Sequence, residues 1–224
     1  MNNIRELIPN KIELAIHLAT KYHAGQKRKY TGEDYVTHPI AVKNIILNHF
    51  GPNVKESILV SAILHDMLED THYTEHMMAY DFGFEVLKIV KALTNSKTGN
   101  RKKRKILEAE MFADIDSEIR ESAYVVRLAD IIHNAPSIRK HDKNFWKTYR
   151  EEKENLLLVI RKNKPKEKFL IHFNELLELA DRAINFFHPQ NDKYESDYEI
   201  DEQGVLYRIC ENRITAIKTI DGDV

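Results

Sequence analysis

Apolar residues recur at helical spacing in one segment after another from Ile12 to Phe187, and the pattern stops there. Ile12, Ala15, Ile16, Ala19 and Tyr22 mark a first helix over residues 9 to 24. A polar loop, "AGQKRKYTGEDYVTHP", ends in His38-Pro39, and Pro39 suits the first turn of a second helix, "IAVKNIILNHF". After "GPN", residues 54 to 69 form a third helix that is apolar nearly all round and therefore buried. A short helix, a turn at Gly83 and a longer helix follow, then "KTGNRKKRK" as a basic loop. Helical patterns resume over residues 104–114, 118–134 and 142–163, and again from Pro165. Beyond residue 188 the spacing changes to period two: "GVLYRICENRITAIKTIDG" alternates apolar and polar residues around "CEN". The expected fold is all-α, a helical bundle over residues 1–188, with a tail over 189–224 that carries a β-hairpin at 198 to 220.

Composition removes several function classes. The formal net charge of -1 provides no general pull toward nucleic acid or acidic membranes. Cys210 is the only cysteine, so neither an internal disulfide nor a zinc-thiolate cluster is available. The start of the chain has interspersed charges rather than a signal-peptide core, and the longest apolar run, "ILVSAIL", is far short of a membrane span. A cytoplasmic protein with no membrane partner is expected. Nothing in the sequence sets the oligomeric state.

The third helix ends in an anomaly. In "AILHDMLEDT", His65, Asp66, Glu69 and Asp70 follow directly on aliphatic residues. At about 100° per residue they share one arc with Ile58, Leu59, Ala62 and Ile63, so an apolar stripe becomes charged without changing direction. Either the helix emerges into solvent there, or the charges stay inside and meet a cation. A second apolar helix, "SAYVVRLADIIHNA", is cut by Asp130, with Asn134 and Arg127 on the same stripe. Asp130 is either half of a structural salt bridge or a ligand. With His38 at its helix start, these residues make a set of two imidazoles and two carboxylates, a donor mix suited to Mn, Fe, Co or Zn rather than Ca.

Four segments in order resemble the HD-domain phosphohydrolases and, within them, the RelA/SpoT-type alarmone hydrolases: "HAGQKRKYTGEDYVTHPIAV", "AILHDMLEDT", "FGFEVLKIVKALT" and "VRLADIIHNA". The resemblance does not reach the tail. It implies an all-helical fold holding one divalent metal, most often Mn2+, through His38, His65, Asp66 and Asp130. It also implies Glu69 and Asp70 as the catalytic acids that handle the attacking water. Arg28, Lys29 and Asn134 are implied as substrate contacts. Lys97 falls where relatives often carry a substrate-facing base. Tyr149 is a candidate to stack on the nucleobase, or a packing residue beside Phe145 and Trp146.

The implied reaction is hydrolysis of the 3′-pyrophosphate of guanosine tetra- or pentaphosphate, (p)ppGpp, giving GDP or GTP and pyrophosphate. The alternatives are the same site acting on the NADPH 2′-phosphate, a nucleoside triphosphate or a pyrophosphorylated tRNA end, or a non-catalytic antitoxin or binding module. The paired acids count against a mere binder. "RKKRK", residues 101 to 105, is read as a solvated charge run, or more sharply as a phosphate contact beside the pocket.

Overall fold

The computed structural model describes residues 8, 10–95, 99–164 and 170–185, and three strands beyond them. Among the described residues there are ten helices: α1 (Lys11–Tyr22), α2 (Thr37–Phe50), α3 (Glu56–Leu64), α4 (Met67–Asp70), α5 (Glu75–Phe82), α6 (Phe84–Leu93), α7 (Arg101–Ala113), α8 (Ser117–His141), α9 (Lys143–Lys162) and α10 (Leu170–Asn185). Local chemistry sets several of the starts. The side chains of Asn10, Thr74, Asn100 and Asp142 each accept from a backbone N–H in the first turn that follows. Gly83, at φ 92°, turns the chain from α5 into α6 in a conformation that L side chains rarely adopt.

Two expectations need correction. Residues 54 to 69 are not one helix: α3 stops at Leu64 and a new turn begins at Asp66. The cause is local. His65 Nδ1 donates to the Ala62 carbonyl at 2.8 Å, the acceptor a continuing helix would offer to the next turn. The "RKKRK" run is not a loop but the opening of α7, capped by Asn100, whose side chain accepts from Lys103 N at 3.0 Å. Its crowded cations are relieved by Glu152, which Arg101 engages through two bonds of 2.7 Å, and by Glu108, 2.6 Å from Lys105.

The core explains why α3 reads as apolar all round. Ile58, Leu59 and Ala62 pack into one cluster with α2, α8, α9 and α10. Val60, Ile63 and Leu64 pack into a second with α1, α5 and α6. α3 is thus sandwiched. α8 is buried continuously from Ser122 to Ile132, Asp130 included. Each fully buried Leu or Ile contributes roughly 1.5–3 kcal/mol, whereas an uncompensated buried carboxylate costs several kcal/mol. Asp130 therefore requires partners.

Residues 198–200, 206–210 and 213–216 pair antiparallel in the order β1 (Tyr198–Ile200), β2 (Leu206–Cys210), β3 (Arg213–Ala216), with Ile209 opposite Ile214. Glu211 and Asn212 of the "CEN" turn lie outside the described residues. Among the described residues no helix is long and apolar enough to cross a membrane.

Candidate metal and phosphate site

The break after Leu64 builds the site. It swings His65 and Asp66 off the end of α3 toward the start of α2, which carries His38, and the middle of α8, which carries Asp130. His65 Nε2 lies 3.0 Å from Asp66 Oδ2 and 3.8 Å from Asp130 Oδ1. His38 Nε2 lies 3.3 Å from Asp130 Oδ1 and 3.7 Å from Asp66 Oδ2. The four residues expected as ligands meet at one point.

The imidazole backs fix which nitrogen faces that point. With His65 Nδ1 donating to a carbonyl, Nε2 is the nitrogen turned to that point, buried and 3.0 Å from Asp66 Oδ2, and in the neutral imidazole it carries the lone pair. His38 Nδ1 is 2.8 Å from His133 Nδ1. Burial, then the neighbouring His38 and Arg28, lower the His133 pKa to about 3, so it stays neutral. An inward imidazole nitrogen, a second imidazole and two carboxylates fit a borderline divalent cation. Donor atoms of His38, His65 and Asp130 all lie within 4.8 Å of one another.

Electrostatics agree with the fit. Burial opposes charge on His65, but the Asp66 and Asp130 carboxylates outweigh it and push the pKa up to about 9. Burial likewise opposes ionisation of Asp66 and Asp130. For Asp66 the His65 imidazole prevails, and for Asp130 the His38 hydrogen bond and His65 prevail, holding both carboxyls low. The cluster thus gathers positive charge even as protons.

Asp130 answers both readings of its burial, one with each oxygen. Oδ1 faces the histidines and accepts from Asn134 Nδ2 at 2.6 Å, while Oδ2 meets Arg127 Nη1 at 3.2 Å. The salt bridge and the ligand position coexist. Arg127 continues to Glu108, 3.1 Å away, and donates to the Leu93 carbonyl at 2.7 Å.

The acidic pair divides as well. Glu69 Oε2 accepts from both the backbone N and the side-chain Nδ2 of Asn95, each at 3.1 Å. Asp70 stands at the exposed rim, where partial burial and the Asp66 and Glu69 carboxylates push its pKa up to about 6.

Beside the His/Asp cluster a cavity of about 440 Å³ is lined by Arg28, Lys29, Tyr30, Arg101, Asn134, Ile138 and Phe145. A tight turn presents its bases: Arg28 N donates to Glu33 O (2.8 Å) and Gly32 N to Arg28 O (3.0 Å), with Gly32 at φ 75°. Arg28 Nη2 donates to Asn134 Oδ1 at 2.8 Å, and Asn134 in turn donates to Asp130, so cavity and His/Asp cluster share a hydrogen-bonded chain. Lys29 Nζ and Tyr30 OH both reach Asp142 Oδ2, at 3.1 and 2.9 Å.

One expected contact is not at the cavity. Tyr149 is 5% exposed and packs in the core against Trp146 and Phe145; the aromatic faces on the cavity are those of Tyr30 and Phe145. Lys97 lies outside the described residues. Arg101, read mainly as part of a solvated run, lines the cavity instead, with its guanidinium 4.6 Å from the Phe145 ring centre. Sequence reasoning also missed His133, Tyr35 and Glu108. Tyr35 OH donates to Asp66 Oδ2 at 2.5 Å. Only His133, adjacent to Asn134 in "IIHN", carried a positional hint.

Known proteins share this arrangement of chain. The HD domain family matches residues 15–157, more than half of the 224. The guanosine-3′,5′-bis(diphosphate) 3′-pyrophosphohydrolase MESH1 of Xenopus tropicalis is 31% identical over 137 residues, covering 61% of this chain and 74% of MESH1. The 3′-pyrophosphohydrolase of Borreliella burgdorferi is 33% identical over 134 residues, and there the matched part is only 19% of the relative's length. The solved structure of a metazoan ortholog of SpoT aligns with a TM-score of 0.64 at 23% identity, covering 79% of this chain and 97% of that one, a likeness of fold. With its motifs, its helical fold and its matched residues in agreement, this chain belongs to the HD-domain family.

Proposed function

We propose that this protein is a metal-dependent hydrolase of the 3′-pyrophosphate of (p)ppGpp, yielding GDP or GTP and pyrophosphate. The observation that carries the reading is the convergence of His38, His65, Asp66 and Asp130 next to a cavity rich in cationic and amide donors. The substrate assignment is supported by the activity for which MESH1 is named, most of whose length this chain matches. The long relatives carry much more chain than is matched here, and only the hydrolytic reaction is proposed.

His38, His65, Asp66 and Asp130 would hold one divalent ion, Mn2+ by the family resemblance. Bound there, it would supply Lewis acidity, acidifying water and drawing charge from a phosphoryl oxygen. The chain's own groups do the rest. Arg28, Lys29 and Arg101 neutralise the polyphosphate, which otherwise repels the incoming oxygen. Asn134 ties the Arg28 guanidinium to the Asp130 side of the cluster. Phe145 and Tyr30 offer faces to the base. Glu69 takes a proton from the attacking water, and Asp70, with its pKa near 6, exchanges a proton with the ribose 3′-oxygen as that bond breaks. Water thus contributes hydroxyl to phosphorus and a proton to the leaving oxygen.

The same reading takes the protein as cytoplasmic, residues 1–188 as the catalytic domain and 189–224 as an appended tail with a β-hairpin. Truncation after residue 190 is expected to leave helical circular dichroism unchanged.

The test is incubation of purified protein with guanosine tetraphosphate and Mn2+, with NADPH and nucleoside triphosphates alongside. Manganese-dependent release of pyrophosphate from the alarmone is expected. Turnover confined to another phosphate ester would discard the substrate, and silence on all of them with metal bound would discard the enzyme.

A further inference from the structure

Arg101, Lys105 and Glu108 stand at i, i+4 and i+7 on α7, hence on one face. Each meets a different part of the site. Arg101 lines the cavity. Lys105 Nζ lies 3.3 Å from Asn95 Oδ1 and 2.6 Å from Glu108 Oε2. Glu108 pairs with Arg127, which pairs with Asp130. Asn95 donates to Glu69. A ring of side chains therefore leaves the His/Asp cluster at Asp130 and returns beside it at Glu69.

We propose that Lys105 is a positioning residue for Glu69, acting through Asn95. The proposal rests on the catalytic reading of Glu69. An ammonium has donors only, so the end of the Asn95 amide that faces it must be the oxygen. With Oδ1 turned to Lys105, Nδ2 is turned to Glu69, where it joins the Asn95 backbone N–H in holding Oε2. The carboxylate is thereby clamped at one oxygen by two donors from a single residue, and its rotation is fixed. Without Lys105 the amide keeps only its Glu69 contact, and the clamp loses the partner that holds its oxygen end. Glu108 keeps Lys105 in place: it is 8% exposed, anchored on its other side by Arg127, and 2.6 Å from the ammonium. Lys105 itself is absent from the cavity lining and meets only Asn95 and Glu108, so the effect of its loss falls on turnover and not on substrate affinity.

A double-mutant cycle of Lys105→Met and Glu69→Gln tests this, read as kcat and KM with Mn2+ and the best substrate. Lys105→Met alone is expected to lower kcat about tenfold or more with KM nearly unchanged, the scale on which supporting hydrogen bonds act. In the Glu69→Gln background the same change is expected to cost less than about twofold, since groups acting as a unit are not additive. Lys105→Arg, which can still donate to Asn95 and Glu108, is expected to restore most of the rate. Equal losses in both backgrounds, or no loss in the wild type, would overturn the role of Lys105 while leaving Glu69 catalytic. Full activity of Glu69→Gln would instead remove the catalytic reading, and the proposal with it. A second readout needs no turnover. Lys105→Met should move the Asn95 side-chain amide resonances in 15N-labelled, folded protein, and unmoved resonances would overturn the support of Asn95 by Lys105.

Discussion

Two buried charge clusters share Asp130, and they are built on opposite principles. On one side Glu108, Arg127, Lys105 and Lys153 match fixed cations against a fixed carboxylate, all on long side chains held by packing. On the other side His38, His65 and Asp66 surround Asp130 with imidazoles, whose charge comes and goes with a proton. The first cluster is closed: its compensation is covalently part of the chain. The second is compensated by protons on its imidazoles, which a cation from solution can replace. A buried salt bridge and a metal site need the same neutralisation. What separates them is whether the positive charge can leave.

Asp130 is where breaking the comparison has the largest effect. Asp130→Ala is expected to abolish metal binding and turnover together and to leave Arg127 with Glu108 alone; metal content by mass spectrometry and a substrate assay check it, and a metal-loaded, active variant would refute the ligand assignment. Glu69→Gln separates chemistry from binding. A loss of about 10²–10⁴ in kcat is expected with the metal retained, the range for removing a general base.

Glu108→Gln tests the closed cluster alone. It leaves Arg127 and Lys153 short of a countercharge, and a loss of about 3 kcal/mol of unfolding free energy is expected; an unchanged denaturation midpoint would show that the cluster contributes nothing.

The pH dependence follows from the same residue. Burial would raise the Glu108 pKa, but Arg127, then Lys153 and Lys105, bring it down to about 2 from an ordinary 4.5. Its folded pKa is depressed, so its stabilisation is complete above about pH 4.5 and is lost as pH falls toward 2, by roughly 3 kcal/mol. Acid titration of wild type against Glu108→Gln should converge in that window.

The smallest effect belongs to the exposed rim. Lys29→Ala should raise KM a few-fold with kcat held, and the loss should shrink in salt, as for any exposed charge.

The contrast also explains what the sequence disclosed. His65 and Asp66 were legible because charge in the middle of an aliphatic run is expensive, and Asp130 for the same reason. The helix break at Leu64 was not, since apolar residues continue on both sides of it and the cause is a side chain taking one carbonyl. The α7 stripe was hidden differently. A run of five bases looks solvated, and nothing local reveals that Lys105 meets Asn95, ten residues earlier, or that Arg101 meets Glu152, fifty-one residues later. Tyr149 was ambiguous because a ring at helical spacing suits a core and a base equally. Side-chain orientation decides, and it points inward.

Asp142 carries one more consequence. Its Oδ1 accepts from Phe145 N at 3.0 Å and starts α9, while its Oδ2 holds Lys29 and Tyr30. The two duties fall on different oxygens of one carboxylate. An arriving polyphosphate can draw Lys29 away, exchanging one exposed ion pair for another, and the helix start beneath it is undisturbed. On the proposed reading, Lys29 can turn to the substrate without loosening the wall that carries Phe145.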